Sequence, residues 1–265
     1  MQQNKLAILI HSSKTMQSNK AYTGSFRQPL LLKEAAQLMT YMKTLSIEEI
    51  EKVMHVSYNL ATKTKTVVGE WQSGSKGQTL ALDSFIGDIY SGLRAQELSK
   101  SDRDYADTTL WILSGLYGVL KPYDGVQPYR VEMGYKFPDQ KFGNLYTFWG
   151  SKIARQLPAQ GIIVNVSSVE YTKAVLPFID ENRVTTPHFL TVNPKTGEPG
   201  FTVVHAKIAR GAFARWLITS RITDPARFGE FNDLGYSFNA SLSTLQTPTF
   251  ICKDFGGLGL SIRLK

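Results

Sequence analysis

Two short apolar runs, each followed by small hydroxyl residues, constrain the fold more than any other feature of this sequence. Residues 6–10 precede the sequence HSSKT, and residues 162–167 precede Ser168. Apolar runs of this length between polar residues are typical of buried strands. A strand that leads into a helix N-terminus is the usual place for anion binding in α/β proteins. We therefore predict that both runs are central strands and share an anion site at their ends.

Segments with helical periodicity separate the two runs and predict a mixed fold. Residues 29–43 repeat apolar side chains at helical spacing, and Ser46 with Glu49 forms the sequence of a capping box at the start of the next helix. A chain of 265 residues can bury a large core, and no change in composition marks a domain boundary. The sequence therefore predicts an α/β (mixed α+β) fold in which residues 1–265 form a single large domain, with helices around a central mixed sheet.

Glycine, proline and tyrosine are concentrated in residues 113–135, LSGLYGVLKPYDGVQPYRVEMGY. The apolar residues 110–113 before this segment are typical of the buried end of a helix. Gly115 and Gly118 permit a tight corner between two helices, with backbone N–H groups directed at an anion such as a phosphate. From the residues alone, a glycine- and proline-rich connector over the core explains the segment equally well.

Arg130 and Glu132 follow in a stretch that is predicted to be extended. Residues two apart in an extended chain point to the same side, so these two face a shared space while Tyr129 and Val131 enter the core. A carboxylate beside a guanidinium stays ionised and fixes its orientation. We expect Glu132 to orient Arg130 and Arg130 to contact the ligand, and both are candidate catalytic residues if the site is catalytic. A structural ion pair is the alternative.

Further candidate anion-binding residues follow the two strands or share one side of a predicted helix, residues 207–221. They are Lys14, Thr15, Ser168, Lys173, Lys207 and Arg210. Arg221 is predicted on the same basic side of that helix, and Gly211 is expected to let a ligand or another segment approach it. A solvent-exposed helix face and a capped helix with a solvated lysine explain the same patterns.

The composition favours a polyanionic partner and excludes several kinds of chemistry. A net charge of +8 favours nucleic acid or phosphorylated small molecules. The single cysteine, Cys252, excludes an internal disulfide and dithiol redox chemistry, and we predict that it is buried as a small apolar residue. The scattered histidines, His11, His55, His188 and His205, lack the spacing of a zinc site, so the sequence predicts no metal and no cofactor.

The sequence carries no recognisable targeting or membrane-spanning segment. The apolar run near the N-terminus has five residues and lacks a following cleavage site, and no run approaches the roughly 18 apolar residues of a membrane span. We therefore expect a cytoplasmic protein with no membrane partner.

Long motifs in a fixed order resemble those of the YaaA family, bacterial proteins linked to peroxide stress. They lie at residues 14–15, 85–93, 113–134, 145–150, 165–173 and 207–211. The family usually has Ser-Pro-Ala-Lys-Thr where this chain has HSSKT, so Lys14 and Thr15 are retained. The resemblance extends from about residue 5 to about residue 240, and the tail, about 240–265, diverges.

The resemblance implies a DNA-binding protein of the peroxide stress response, with a basic cleft and a helix-hairpin-helix element. Such a protein contacts the phosphate backbone without reading sequence. The residues leave an alternative open, an enzyme acting on a small phosphorylated or nucleotide substrate. Its pocket would be lined by Lys14, Arg130, Glu132, Lys173 and Arg210. The relative positions of these side chains separate a closed pocket from an open groove.

Overall fold

The computed structural model describes residues 6–17, 26–74 and 77–257. The α-helices are α1 (Leu32–Met42), α2 (Ile47–Met54), α3 (Tyr58–Glu70), α4 (Ala81–Ser84), α5 (Asp88–Leu93), α6 (Lys100–Thr109), α7 (Leu145–Trp149), α8 (Val169–Thr172) and α9 (Val203–Thr219). Short 3₁₀ helices cover Ala95–Glu97, Gly150–Lys152, Ala154–Gln156, Leu176–Phe178, Glu181–Arg183, Pro225–Glu230 and Ala240–Leu242.

The strands are short and fall into a large sheet, a smaller sheet and two strand pairs. They are β1 (Leu6–His11), β2 (Thr15–Met16), β3 (Thr79–Leu80), β4 (Phe85–Ile86), β5 (Leu110–Ser114), β6 (Gly118–Leu120), β7 (Gly125–Val126), β8 (Ile162–Asn165), β9 (Val184–Thr185), β10 (His188–Val192), β11 (Pro199–Gly200), β12 (Tyr236–Phe238) and β13 (Thr249–Cys252). The two separate pairs are β2 with β4 and β3 with β7, both antiparallel.

β1 is the middle strand of the large sheet, whose order is β6-β5-β1-β8-β9. It pairs in parallel with β5 on one side and with β8 on the other, whereas β5 and β6 pair in antiparallel. The predicted α/β class with a central mixed sheet is therefore confirmed, and both predicted strands are internal. Their carboxyl ends meet at one edge of the sheet, where Val166 N–H donates to Leu9 O at 3.0 Å.

The segment around Gly115 and Gly118 is a β-hairpin, so the predicted helical corner is wrong. The apolar residues before it form β5 beside β1, and Gly118 has φ +69° where β6 begins. A Cβ on Gly115 would lie 2.5 Å from Val131 O, which shows that this glycine permits close backbone packing. The whole hairpin is buried, and the N–H of Tyr117 donates to Ser114 Oγ at 3.0 Å. It presents no N–H groups to an external anion.

A helical hairpin, residues 47–70, lies elsewhere and consists of α2 and α3. The predicted capping box is confirmed: Glu49 N–H donates to Ser46 Oγ at 3.1 Å and Ser46 N–H donates to Glu49 Oε2 at 2.8 Å. α2 ends at Met54, and the next residue, His55, adopts the left-handed conformation with φ 49°. Left-handed backbone after a helix turns the chain sharply, so the connection from α2 to α3 needs only the three residues 55–57.

The small sheet has the order β11-β10-β13-β12 and places part of the tail in the core. β13 pairs with both β10 and β12. Phe250 of this strand stacks on Phe189 with ring centroids 5.3 Å apart. Residues 258–265 of the divergent tail lie outside the described part of the chain.

Gly92 of α5 and Gly211 of α9 mark the crossing of these two helices. A Cβ on Gly211 would lie 1.8 Å from Ile89 O, and one on Gly92 would lie 1.9 Å from Ile208 O. The close approach expected at Gly211 therefore exists, but its partner is α5 and not a ligand. The crossing fixes the position of α9 relative to α5, and both helices contribute residues to the cleft described below.

Candidate functional site

An open cleft of about 730 Å³ lies at the carboxyl ends of β1 and β8. Its walls are residues 11–15, from the end of β1 to the start of β2, residues 87–89 at the start of α5 and residues 168–171 at the start of α8, together with Glu132 and Lys207. The predicted convergence of the two strand ends therefore forms a real concavity, because neighbouring parallel strands end at the same sheet edge.

His11 forms part of the cleft floor as a neutral imidazole. Its Nδ1 accepts a hydrogen bond from Ser168 N–H at 3.1 Å, and its ring stacks on Tyr171 with centroids 5.1 Å apart. Burial, together with the charges of Arg210 and Lys207, lowers the pKa of His11 to about 3. Since Nδ1 accepts, the ring proton is on Nε2. His11 joins the two strand ends and does not carry protons near neutral pH.

Three buried tyrosines hold residues in and around the cleft through their hydroxyl groups, and one of them, Tyr171, also lines it. Tyr90 donates its hydroxyl to His11 O at 2.8 Å, and Ser12 Oγ donates to the hydroxyl of Tyr171 at 3.4 Å. The hydroxyl of Tyr129 lies 2.7 Å from Ser114 Oγ. Burial raises the pKa of all three phenols above the ordinary value, so they remain neutral hydrogen-bonding groups.

The loop after β1 is held by its own hydroxyl groups. Ser13 Oγ donates to Ile86 O and accepts from Thr15 N–H at 3.2 Å. Thr15 then enters β2, which pairs with β4. The loop therefore has a defined shape, and Lys14 at its tip projects with 53% of its side chain exposed.

Glu132 forms an ion pair with Lys14 and not with Arg130. Its Oε2 lies 2.6 Å from Lys14 Nζ. Arg130 Nη1 instead donates to Lys14 O at 3.3 Å. Tyr129 and Val131 are buried, so the predicted alternation of sides is confirmed, while the predicted pairing of Glu132 with Arg130 is wrong. Arg130 and Glu132, which point to the same side, both contact Lys14: Arg130 binds its backbone oxygen and Glu132 its ammonium group.

Lys207 and Arg210 bring positive charge from α9. Lys207 lines the cleft, and Arg210 is close enough to His11 for its charge to affect the pKa of that ring. Both side chains are partly buried, and burial lowers the pKa of Arg210. Within residues 6–17, 26–74 and 77–257, no carboxylate forms an ion pair with either of them.

Other predicted residues lie outside the cleft. Lys173 is exposed and not part of the lining. Gly115 and Gly118 are buried in the β-hairpin, as described above. Arg221 follows α9 and pairs with Asp102 at 2.8 Å, so it does not extend the basic face of Lys207 and Arg210.

The sequence reasoning missed several lining residues, above all Glu170, Tyr171 and Asp88. Glu170 Oε1 accepts a hydrogen bond from Gly134 N–H at 2.8 Å, and Asp88 lies in the first turn of α5. These residues fall inside the motifs at 85–93 and 165–173, so the motifs themselves were the available signal. The lining is thus of mixed charge, with the carboxylate of Glu132 neutralised by Lys14.

A second depression of about 610 Å³ borders α2 of the helical hairpin. It is lined by α2 residues, by His55 and by residues 134–138. Gly134 is the residue that contacts Glu170 of the cleft, and Phe137 lies at the other end beside α2. Lys52, His55 and Lys136 are exposed there. One chain segment, residues 132–138, therefore runs from the cleft to the hairpin.

Two general properties bear on the class of function. No group of three or more His, Cys, Asp or Glu residues in the described part of the chain is placed to hold a metal ion. Across the same residues, none of the helices combines the length and the apolar character needed to cross a membrane.

Comparisons with known proteins give a consistent family. The family model described as "Peroxide stress protein YaaA" matches residues 6–242. A UPF0246 protein of Salinispora tropica is 50% identical over 258 residues, which cover 97% of this chain and 98% of the relative. A UPF0246 protein of Aliivibrio fischeri is 37% identical over 254 residues, which cover 92% of this chain and 97% of the relative.

Proposed function

The chain belongs to the peroxide stress protein YaaA family, and from this premise we propose that it binds the phosphate backbone of DNA without sequence specificity. The observation that carries the proposal is the pair Lys207 and Arg210. Both are partly buried beside an open cleft, and neither has a carboxylate partner in the described residues. Burying a cation without a partner is costly, and a bound phosphate removes that cost.

Lys14 and Arg130 add positive charge at the loop after β1. Lys14 is largely exposed at the loop tip, and Arg130 holds the loop from beneath. Arginine and lysine contacts to phosphate position DNA but do not distinguish bases. The cleft lining carries both charges, and Glu132 already pairs with Lys14 in the free protein. We therefore expect contacts at individual phosphates along a strand and not with a uniformly basic surface.

We assign the hairpin element of the proposal to residues 47–70, in place of the segment around Gly115. Ser57, the residue before α3, makes no side-chain capping hydrogen bond, so the first N–H groups of this exposed helix start lack that partner. Free N–H groups at a helix N-terminus favour phosphate. Lys52 and Lys136 line the depression beside α2, and residues 132–138 lead from there to the cleft, where Gly134 N–H donates to Glu170.

The second candidate function is catalysis on a small phosphorylated or nucleotide substrate. The volume of about 730 Å³ is the observation that favours it, because ligand pockets usually measure roughly 300–1,000 Å³. Lys173 lies outside this cleft and Arg130 is engaged by the loop backbone, so fewer of the expected residues converge than the catalytic reading requires.

The salt dependence of DNA binding tests the proposal. Each neutralised phosphate contributes about −0.9 to the slope of log K against log salt, so four cations predict a slope between about −3 and −4 for duplex DNA. Lys207→Ala should weaken binding and reduce that slope by about 0.9. Lys195→Ala, which removes an exposed lysine in the turn between β10 and β11, is the matched control and should leave the slope nearly unchanged.

Two outcomes would contradict the proposal. Absence of any complex with duplex or four-way-junction DNA at about 50 mM salt would remove it, because the phosphate term is strongest there. Equal effects of Lys207→Ala and Lys195→Ala would place binding outside the cleft. If nucleotides stabilise the protein against unfolding but no DNA complex forms, the catalytic candidate is favoured.

A further inference from the structure

Phe201 presents an aromatic ring to solvent at the entrance to α9. It lies between β11 and α9, and 59% of its surface is exposed. The ring is not isolated from charge, since the guanidinium carbon of Arg210 lies 5.9 Å from its centroid. Exposed single aromatic residues are common on proteins, so the feature gains meaning only from this neighbour.

Arg210 links the exposed ring to the cleft. Its charge acts on His11 at the cleft floor together with that of Lys207. Its guanidinium forms no ion pair with any carboxylate among residues 6–17, 26–74 and 77–257, and burial lowers its pKa. Arg210, which has no ion-pair partner in the described part of the chain, thus lies between the exposed ring of Phe201 and His11 at the cleft floor.

Further apolar side chains are exposed at the starts of α8 and α9. Val169 is 69% exposed and lines the cleft at the start of α8. Val203, two residues after Phe201, is 52% exposed in the first turn of α9. Exposed apolar side chains beside unpaired cations suit a ligand with flat apolar faces and negative charges at short intervals, which is the chemistry of an unpaired nucleotide strand.

We propose that Phe201 stacks on an unpaired nucleobase while Arg210 contacts the adjacent phosphate. Proteins that bind single strands combine aromatic stacking platforms with basic grooves, because every base has a π-face and every nucleotide a charge. In an intact duplex the base faces are covered by their neighbours, so only the phosphate contacts remain. The inference rests on the proposed DNA binding and adds a preference for DNA that contains unpaired bases.

The experiment uses the full chain and three DNA probes of matched sequence. They are a perfect duplex, the same duplex with one bulged 2-aminopurine, and the single strand. Stacking contributes about 1–3 kcal/mol per base, which corresponds to roughly 5- to 150-fold in affinity. Phe201→Ala should lose about that factor on the bulged duplex and the single strand, leave the perfect duplex unchanged, and abolish the quenching of 2-aminopurine fluorescence. Phe201→Trp should restore both.

Phe238→Ala is the matched control. Phe238 is 41% exposed, packs on Phe250, and has no cation over its ring in the described part of the chain. It should bind all three probes like the unsubstituted protein.

The outcomes separate the inference from the function on which it rests. If no probe binds, the proposed DNA binding fails. If all three bind equally and Phe201→Ala weakens none, DNA binding stands and the stacking inference is overturned. An equal loss on all three probes with a lowered melting temperature would give Phe201 a structural role and would also overturn it.

Discussion

Lys14 and Glu132, 118 residues apart in sequence, meet across the cleft with Nζ and Oε2 separated by 2.6 Å. The lysine side chain is 53% exposed and the glutamate side chain 15% exposed, so water screens the pair. Pairs of this kind contribute only about 0–1 kcal/mol to stability. The pair therefore matters more for the charge that Lys14 presents to the cleft than for the fold.

Glu132→Gln should tighten DNA binding. The substitution removes a negative charge from the cleft and releases Lys14 for one further phosphate contact, which makes the salt slope steeper by up to about 0.9. Lys14→Ala should have the opposite effect on affinity. The free energy of unfolding of both variants should lie within about 1 kcal/mol of the value for the unsubstituted protein. Affinities measured across a salt series check this, and weaker binding by Glu132→Gln would show that the carboxylate acts on the ligand directly.

Gly211→Ala should destabilise the protein strongly. The added Cβ would lie 1.8 Å from Ile89 O at the crossing of α5 and α9, so the helices must separate. Overpacking of this kind costs about 1–3 kcal/mol or more. Gly69→Ala is the control, because Gly69 is an exposed α3 residue with no neighbour within 4 Å of the added Cβ, and it should stabilise by about 0.5–1 kcal/mol. The free energies of unfolding of both variants can be measured in urea. Equal values for Gly211→Ala and Gly69→Ala would contradict the packing explanation.

Features set by neighbouring residues were predictable from the sequence. The capping box needs only Ser46 and Glu49, three residues apart, and it forms as predicted. The alternation that buries Tyr129 and Val131 and turns Arg130 outward follows from extended backbone alone, and it is confirmed. The positions of β1 and β8 inside the sheet followed from the apolar character of their residues, which requires burial on both faces.

Features set by distant partners were not predictable in the same way. The apolar run Leu110–Ser114 suits a helix end as well as a strand, and its pairing with β1, a hundred residues earlier, decides for the strand. The partner of Glu132 depends on where the loop after β1 comes to rest. Gly211 carried a correct signal of close approach, but the sequence does not name the approaching segment. Local patterns give the side that a residue faces, and tertiary contacts give its partner.

The unsubstituted protein should lose stability below pH 6.5 through His11. Burial and the charges of Arg210 and Lys207 together lower the pKa of His11 to about 3 in the folded state, against 6.5 for the ordinary group. Between these values the unfolded chain binds a proton that the folded chain does not, so stability falls as the pH drops, by up to about 1.4 kcal/mol per pH unit. Above pH 6.5 the contribution is constant. The charges of Arg210 and Lys207 both oppose protonation of the ring, which stacks on Tyr171.

His11→Asn isolates this contribution. Asparagine keeps an acceptor for Ser168 N–H and does not titrate. The difference in unfolding free energy between the two proteins should therefore change between pH 6.5 and pH 4.5 and stay constant from pH 6.5 to pH 8. His188→Asn, at an exposed histidine of β10, controls for general effects of the substitution. A pH-independent difference for His11→Asn would show that His11 is protonated as readily in the folded state as in the unfolded one.

Cys252 should not react directly with peroxide in the folded protein. The residue is fully buried in β13, its thiol donates to Leu234 O at 3.6 Å, and burial raises its pKa. Since the thiolate is the reactive form and an oxidant must reach it, both the chemistry and the access are unfavourable. A thiol reagent should therefore label the native protein only as fast as it unfolds, and label one thiol at once in urea. Cys252→Ala supplies the blank and should leave DNA binding unchanged. Rapid stoichiometric oxidation of native Cys252 by peroxide, accompanied by a change in DNA affinity, would instead make this cysteine a direct sensor and would contradict the burial argument.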